Sequence, residues 1–196
     1  MLTLGFDTAT DVATSALVWD GEVLAELSSR PVSVLEDVDA LFRQGGVRPT
    51  QLESIAVGTG PGSFTGLRMG LATARALSLA LGVPVAGVST LRALAAGARG
   101  ALPLVDARRG ELFVLDGEPR VARPDDVDVA GQLCVGDGAV RYREELERRG
   151  AEIPPDDDER HLPRARYHVE LAGDYGPAEL VEPIYLRVPD AERGHR

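Results

Sequence analysis

The stretch "LTLGFDTATDVATSALVWDGEVLAELSS" at residues 2–29 predicts the architecture of the chain's first half. Three runs rich in β-forming residues, at 2–7, 13–19 and 22–28, are separated by short polar segments. Asp20-Gly21 separates the last two runs, and this dipeptide favours a type I′ turn because both of its positions require positive φ. The stretch therefore predicts three consecutive antiparallel strands.

Beyond residue 29 the hydrophobic pattern predicts alternating helices and strands. The predicted helices cover 33–44, 64–81 and 90–98, and the predicted strands cover 54–60 and 83–89. Ser33 followed by Glu36 is a capping-box pattern at the start of the first helix, and Gly45-Gly46 ends it. Three antiparallel strands followed by parallel crossover units indicate an α/β fold of the actin-like or ribonuclease-H-like (ASKHA) class, a mixed sheet with helices on both faces.

The second half has a different composition. We place a domain boundary near residue 100, with a complete N-terminal lobe at 1–99 and a smaller, reduced second lobe with a C-terminal tail at 100–196. The segment 100–196 holds most of the acidic residues and has turn signals at 106–110 and at Asp116-Gly117. The Pro- and acid-rich segment at 153–167 is predicted to be a surface loop, followed by a short helix at 166–174.

The overall composition excludes several functions. The net charge is −10, which disfavours direct binding of nucleic acid. All 21 basic residues are Arg, so the chain has neither a Walker-type phosphate lysine nor a Schiff-base lysine. No apolar run approaches the length of a membrane span, no signal peptide is recognisable, and Cys134 is a single cysteine. We expect a cytoplasmic protein without membrane contact.

Asp7, Thr8 and Thr10 follow the first strand and form a candidate phosphate loop. A carboxylate at this strand end is also a feature of two-metal nucleases, but with Asp106 and Glu111 as the other candidate acids the set is too small. One alternative is therefore an actin-like enzyme that binds a nucleotide through this loop. The other, which we prefer, is that turn amides and nearby hydroxyls hold the Asp7 carboxylate.

The remaining polar residues do not form a recognisable metal or cofactor site. His161, His168 and His195 lack metal-ligand spacing, and we expect the first two to be solvated. "GTGPGSFTG" at 58–66 has neither the Walker lysine nor the position of a dinucleotide-binding loop, which follows the first strand of a βαβ unit. We therefore predict neither a metal nor a cofactor.

The helix predicted at 64–81 carries a stripe of small residues. Gly66, Gly70 and Ala74 recur every four residues, and glycine inside a helix costs about 0.5–1 kcal/mol relative to alanine. Such a stripe allows another backbone to approach closely. The neighbour is either a segment of this chain or a helix of a partner protein, and the sequence pattern alone leaves both open.

Several stretches together resemble one protein family. "GTGPGSFTGLRMGLATARALSLALGVPVAGVSTLRALA" (58–95) is similar to the signature region of the bacterial TsaB (YeaZ) family. "FDTATDVATSALVWDGEV" (6–23), "DARRGELFV" (106–114) and "EPIYLR" (182–187) resemble, in the same order, its N-terminal hairpin and two later elements. The chain departs from the family where the helix at 33–44 begins, because it lacks the His usual there.

The resemblance implies a non-catalytic subunit required for the threonylcarbamoyl modification (t6A) of adenosine 37 in tRNA. Such a subunit pairs with the catalytic paralogue TsaD through the helices of its N-terminal lobe, and the ATPase TsaE joins the pair. The chain would then contact tRNA only through the complex and have no cofactor, its phosphate loop would be vestigial, and its apolar helices would form a homodimer when it is alone. The expected partner-binding residues are Val34, Val38, Leu41, Phe42, Pro61, Gly62, Phe64, Gly66, Leu67, Gly70, Thr73, Ala74 and Leu77.

Overall fold

The computed structural model describes residues 1–186 and contains two mixed β-sheets. The first sheet has the strand order β3-β2-β1-β4-β5, formed by β1 (Leu2–Asp7), β2 (Ala13–Trp19), β3 (Glu22–Ser29), β4 (Ser54–Gly58) and β5 (Val85–Val88). The second has the order β8-β7-β6-β9, formed by β6 (Leu102–Arg108), β7 (Glu111–Leu115), β8 (Pro119–Ala122) and β9 (Cys134–Val135). The α-helices are α1 (Val34–Gly45), α2 (Phe64–Leu81), α3 (Thr90–Gly97), α4 (Asp137–Arg141), α5 (Arg143–Arg148) and α6 (Ala165–Leu171). Within the described residues no helix is long and apolar enough to cross a membrane.

The predicted order of elements in the first half is confirmed. β1 pairs antiparallel with β2 and β2 with β3, whereas β4 lies parallel to both β1 and β5. The turn between β2 and β3 has positive φ at both central positions, 48° at Asp20 and 87° at Gly21, as the sequence predicts. This mixed sheet is the actin-like arrangement expected from the sequence.

The caps of the helices agree with the sequence only in part. Gly46 ends α1 in the left-handed conformation with φ of 66°, as predicted. The prediction of a capping box at Ser33 is wrong. Ser33 belongs to a 3-10 turn at Pro31–Ser33, and its side chain makes no capping hydrogen bond. The cap of α2 is formed instead by the Ser63 side chain, which accepts a hydrogen bond from the Gly66 amide.

Alternate residues of β1 and β2 face opposite sides of the first sheet. Leu4, Phe6 and Leu17 lie in the core under α1 and α2, whereas Ala16 and Val18 pack against α6. At Gly5 the backbone of α6 comes so close that a Cβ atom would lie 2.7 Å from the Ala165 carbonyl oxygen. The sheet is therefore covered on one face by α1 and α2 and on the other by a helix from the second half of the chain.

The segment at 153–167, which sequence patterns predicted to be a surface loop, follows the second sheet and returns to the first lobe. The Thr14 hydroxyl donates to the Pro163 carbonyl at 2.7 Å, and Glu26 accepts from Arg164 and Arg166. Burial alone would raise the pKa of Glu26. The hydrogen bonds and charges of Arg166 and Arg164 outweigh this effect and hold the pKa below its usual value. The proposed boundary near residue 100 thus separates the two sheets in sequence, while α6, from beyond it, completes the first lobe.

The expectation that His161 is solvated is wrong. His161 is 5% exposed, and its Nδ1 accepts a hydrogen bond from the Gly136 amide at 3.1 Å. Nε2 therefore carries the hydrogen and donates to the Pro154 carbonyl at 3.2 Å. This ring links the loop before α4 to the segment at 154–161.

We predict that Gly5→Ala destabilises the protein, although alanine is ordinarily the better residue in a strand. The new Cβ would meet the Ala165 carbonyl oxygen and Val169 Cγ2, both at 2.7 Å, and overpacking of this kind costs about 1–3 kcal/mol. Gly173→Ala is the matched control, because no atom lies within 4 Å of its added Cβ. Equal free energies of unfolding in urea for the two variants would contradict the close approach of α6.

Candidate functional site

The carboxylate of Asp7 lies at the end of β1, is 1% exposed, and accepts hydrogen bonds from three donors. The Ala9 amide donates to Oδ1 at 2.6 Å, and the Thr90 hydroxyl and His168 Nε2 donate to Oδ2 at 2.7 and 2.8 Å. These donors come from the β1–β2 loop, from α3 and from α6. The carboxylate therefore joins three separate parts of the chain.

Space for this carboxylate exists because the neighbouring strand ends in glycine. A Cβ on Gly58 would lie 2.3 Å from Asp7 Cγ. The sequence correctly predicted that turn amides and hydroxyls hold Asp7, but the hydroxyl comes from Thr90 rather than from Thr8 or Thr10. The expectation that His168 is solvated is wrong, because its ring is fully buried.

The other two residues of the candidate phosphate loop are also engaged within the chain. The Thr8 hydroxyl donates to the Gly66 carbonyl at 2.7 Å, and the Thr10 hydroxyl donates to the Val12 carbonyl at 2.8 Å. The backbone carbonyl of Ala9 accepts from the Ser63 amide at 2.7 Å. The loop is thus tied to the start of α2 by both side-chain and backbone hydrogen bonds.

The small-residue stripe of α2 packs against this same loop. A Cβ on Gly66 would lie 2.0 Å from the Thr8 carbonyl oxygen, and one on Gly70 would lie 2.4 Å from Thr8 Oγ1. The close neighbour that the sequence required is therefore the loop after β1, and it belongs to the same chain. Hence the glycines of α2 are explained by internal packing.

The structure shows where the residues expected to bind a partner lie. Most of the residues expected to bind a partner lie in the chain's own core: Val34, Val38, Leu41, Phe42, Pro61, Gly66, Leu67, Gly70, Thr73 and Ala74 are buried. Gly62 is partly buried against Ala9, and Leu77 is partly buried against the core under α2. Of the expected set, Phe64 is the exposed member, at 37%.

A different set of residues forms the outer surface of α1, of α2 and of the 3-10 turn that precedes α1. Val32, Leu35 and Leu79 are 73%, 58% and 88% exposed, and the exposed positions of α2 also include Ala72 and Ala76. We call this surface the outer helix face. Sequence reasoning missed it because it took the small and apolar residues of each helix as one contact set, without knowing which of them the sheet covers.

A second cluster of charged residues joins the two lobes. Arg108, at the end of β6, pairs with Asp11 of the β1–β2 loop at 2.7 Å and with Asp106 at 3.1 Å. Asp137, at the start of α4, accepts from the Asp106 amide at 2.9 Å. Burial raises the pKa of Asp137 to about 6, and the charges of Asp106 and Asp11 act in the same direction.

These acids do not form a metal site within the described part of the chain. Among residues 1–186 no group of three or more His, Cys, Asp or Glu side chains is arranged to hold a metal ion. Asp106 pairs with Arg108 and, at 3.4 Å, with Arg141, and Asp7 accepts hydrogen bonds from its own three donors. His195 lies outside the described residues.

Comparison with known proteins agrees with this architecture. The family model described as "TsaD: tRNA N6-adenosine threonylcarbamoyltransferase" matches residues 28–140, which is more than half of the chain. The tRNA threonylcarbamoyladenosine biosynthesis protein TsaB of Escherichia coli is 39% identical over 123 residues, 58% of this chain and 53% of that protein. YeaZ from Pseudomonas aeruginosa superposes with a TM-score of 0.77 at 28% identity, covering 94% of this chain and 99% of that one. The chain belongs to the TsaB (YeaZ) family.

The similarity to other members differs in extent. An uncharacterized protein of Mycobacterium tuberculosis (strain H37Rv) is 34% identical over 204 residues, which cover 96% of this chain and 93% of that protein. By contrast, the alignment with the Escherichia coli TsaB spans about half the length of that relative. Both α1 and α2 lie inside the range matched by the transferase model.

We predict that Asp7→Ala destabilises the fold by about 3–5 kcal/mol, because it leaves His168 and Thr90 buried without their acceptor. Asp11→Ala, in the same loop, is the control: its side chain is 73% exposed, so its pair with Arg108 contributes about 1 kcal/mol or less. The measurement is the free energy of unfolding in urea. An Asp7→Ala variant as stable as Asp11→Ala would contradict the structural role of Asp7.

We also predict a pH-dependent stability difference at Asp137. Because its folded pKa is raised, the folded state binds more protons than the unfolded state between about pH 4 and 6, and Asp137 lowers stability as pH rises through that window. Asp137→Asn should therefore be more stable than wild type at pH 7.5 by about 1 kcal/mol or more, with the difference shrinking towards pH 4. Thermal melts across this range measure it, with the exposed Asp157→Asn as control. A difference independent of pH would show that burial does not hold back ionisation of Asp137.

Proposed function

We propose that this protein is a non-catalytic subunit required for threonylcarbamoylation of adenosine 37 in tRNA, and that it pairs with the catalytic paralogue TsaD. The observation that carries the proposal is membership of the TsaB family combined with the internal engagement of Asp7, Thr8 and Thr10. The hydroxyls and the carboxylate of this loop are already engaged in hydrogen bonds within the chain. Such a loop is suited to support the fold rather than to position a phosphate.

The outer helix face is the surface through which we propose the pairing. It carries Val32, Leu35 and Leu79, large apolar side chains that are more than half exposed. Exposed apolar surface on adjacent elements is typical of protein interaction sites. Because the transferase model covers residues 28–140, TsaD has its own α1 and α2, and the two proteins can pair through equivalent helices.

The wider assembly follows from the same proposal. TsaE joins the pair as its ATPase, tRNA is reached only through the complex, and the assembly works in the cytoplasm. In the absence of TsaD, the outer helix face of one copy pairs with that of a second copy to form a homodimer. The net charge of −10 supports an indirect rather than a direct contact with tRNA.

We predict that Leu79→Glu abolishes co-purification with TsaD, because it places a charge on the outer helix face without touching the core. Leu79 is 88% exposed, so the variant should keep the wild-type melting temperature to within a few degrees. The same variant should sediment as a monomer where the wild-type chain alone forms a dimer.

Leu171→Glu is the matched control for this experiment. Leu171 is 43% exposed and lies at the end of α6, on the opposite side of the first sheet. The control should retain TsaD at the wild-type level. Loss of TsaD from both variants, or from neither, would contradict pairing through the outer helix face.

A further inference from the structure

The outer helix face does not include the "EPIYLR" element at 182–187. Residues 182–186 of this element lie beside the start of α2. The Ile184 amide donates to the Thr59 carbonyl at 2.8 Å. The Tyr185 ring packs on the Phe64 ring with centroids 5.5 Å apart and planes at 37°. The Arg68 guanidinium carbon lies 3.8 Å from the centroid of Phe64. We call Phe64, Arg68 and Tyr185 the aromatic platform.

The chain is held in place just before this platform. Arg75 of α2 donates to the Val181 carbonyl at 3.0 Å and to the Ala178 carbonyl at 3.4 Å. Val181 packs against the core under α2, and a Cβ on Gly87 would lie 2.8 Å from Val181 Cγ1. Tyr185 therefore follows a segment that is hydrogen-bonded to α2 and packed against the core of the first lobe.

The platform remains open although its members contact each other. Phe64 is 37% exposed and Tyr185 is 44% exposed. Among residues 1–186 no carboxylate pairs with Arg68, and α2 contains Arg68 and Arg75 but no acidic residue. A stacked arginine that no carboxylate of the described residues pairs with, beside two half-exposed aromatic rings, matches the residue types that dominate binding at protein interfaces.

The charges of the two helices are complementary. The beginning of α1 exposes Glu36, whereas α2 carries Arg68 and Arg75 and no acidic residue. Two proteins with equivalent α1 and α2 that pair about a two-fold-like axis can place α1 of one against α2 of the other. Acidic residues are favoured in the first turns of helices, so the segment that meets Arg68 is expected to carry a carboxylate.

We propose that the aromatic platform is the part of the docking surface that receives an acidic, apolar helix start from TsaD, and that the C-terminal element supplies Tyr185 to it. This inference rests on the proposed pairing and extends it, because it makes residues 182–186 part of the interface. The carboxylate of the partner pairs with Arg68, and an apolar side chain beside it covers Phe64 and Tyr185.

The test measures the Kd between the full chain and TsaD by calorimetry for wild type, Arg68→Ala, Tyr185→Ala and the double variant. Each single substitution should raise the Kd about 10-fold or more, as loss of an interface anchor does. The double variant should raise it by less than the product of the two, because both side chains act through Phe64. Leu171→Ala, on the opposite face, should leave the Kd unchanged.

A salt series separates an interface role from a purely structural one. Raising NaCl from about 0.05 to 0.5 M should weaken wild-type binding more than binding of Arg68→Ala, because the proposed carboxylate pair is screened. The stability of Tyr185→Ala is measured separately by its melting temperature. If that temperature falls, the salt dependence of wild type and Arg68→Ala still distinguishes an interface role from a structural one, because neither protein alters Tyr185.

The two proposals fail in different ways. Unchanged Kd values for Arg68→Ala and Tyr185→Ala, with binding abolished by Leu79→Glu, would overturn the platform and leave the pairing intact. An equal salt dependence of wild type and Arg68→Ala would also overturn the platform. If the wild-type chain does not bind TsaD at all, both proposals are overturned.

Discussion

The buried carboxylate of Asp7 is the constraint on which the rest of the first lobe depends. A carboxylate with 1% exposure is tolerated only when donors surround it, and here they come from the loop after β1, from α3 and from α6. These contacts fix where α3 leaves the sheet and where α6 returns to it. Gly58 has no side chain because any Cβ would occupy the position of that carboxylate.

The same local arrangement determines which surface is left for partners. The loop after Asp7 packs against the glycine stripe of α2. The small residues that resemble a helix contact site are therefore covered by the chain itself. The opposite side of α2, with Leu79 and Arg68, stays open together with Leu35 of α1. Internal packing on one side of α2 thus leaves its other side exposed, and this is the side through which we propose the pairing.

The sequence predicted local features well where one pattern had one physical solution. Asp20-Gly21 fits a type I′ turn, and the order of strands and helices in 2–98 follows from strict periodicity. It left the answer open, or gave the wrong one, where two solutions were compatible with the same pattern. A small-residue stripe fits either a loop or a helix, and His168 in a polar segment looks solvated until α6 is known to return to the buried Asp7. The aromatic platform joins Phe64 to Tyr185 across 121 positions of sequence, and no local signal links them.

A crystal structure of this chain bound to TsaD is the most direct test of pairing through the outer helix face. If the chain pairs through the outer helix face, the side chains of Leu35 and Leu79 become buried by the partner, while Gly66 and Gly70 keep their contacts with Thr8. A complex in which TsaD covers α6 or the second sheet, and leaves Leu79 exposed to solvent, would contradict it.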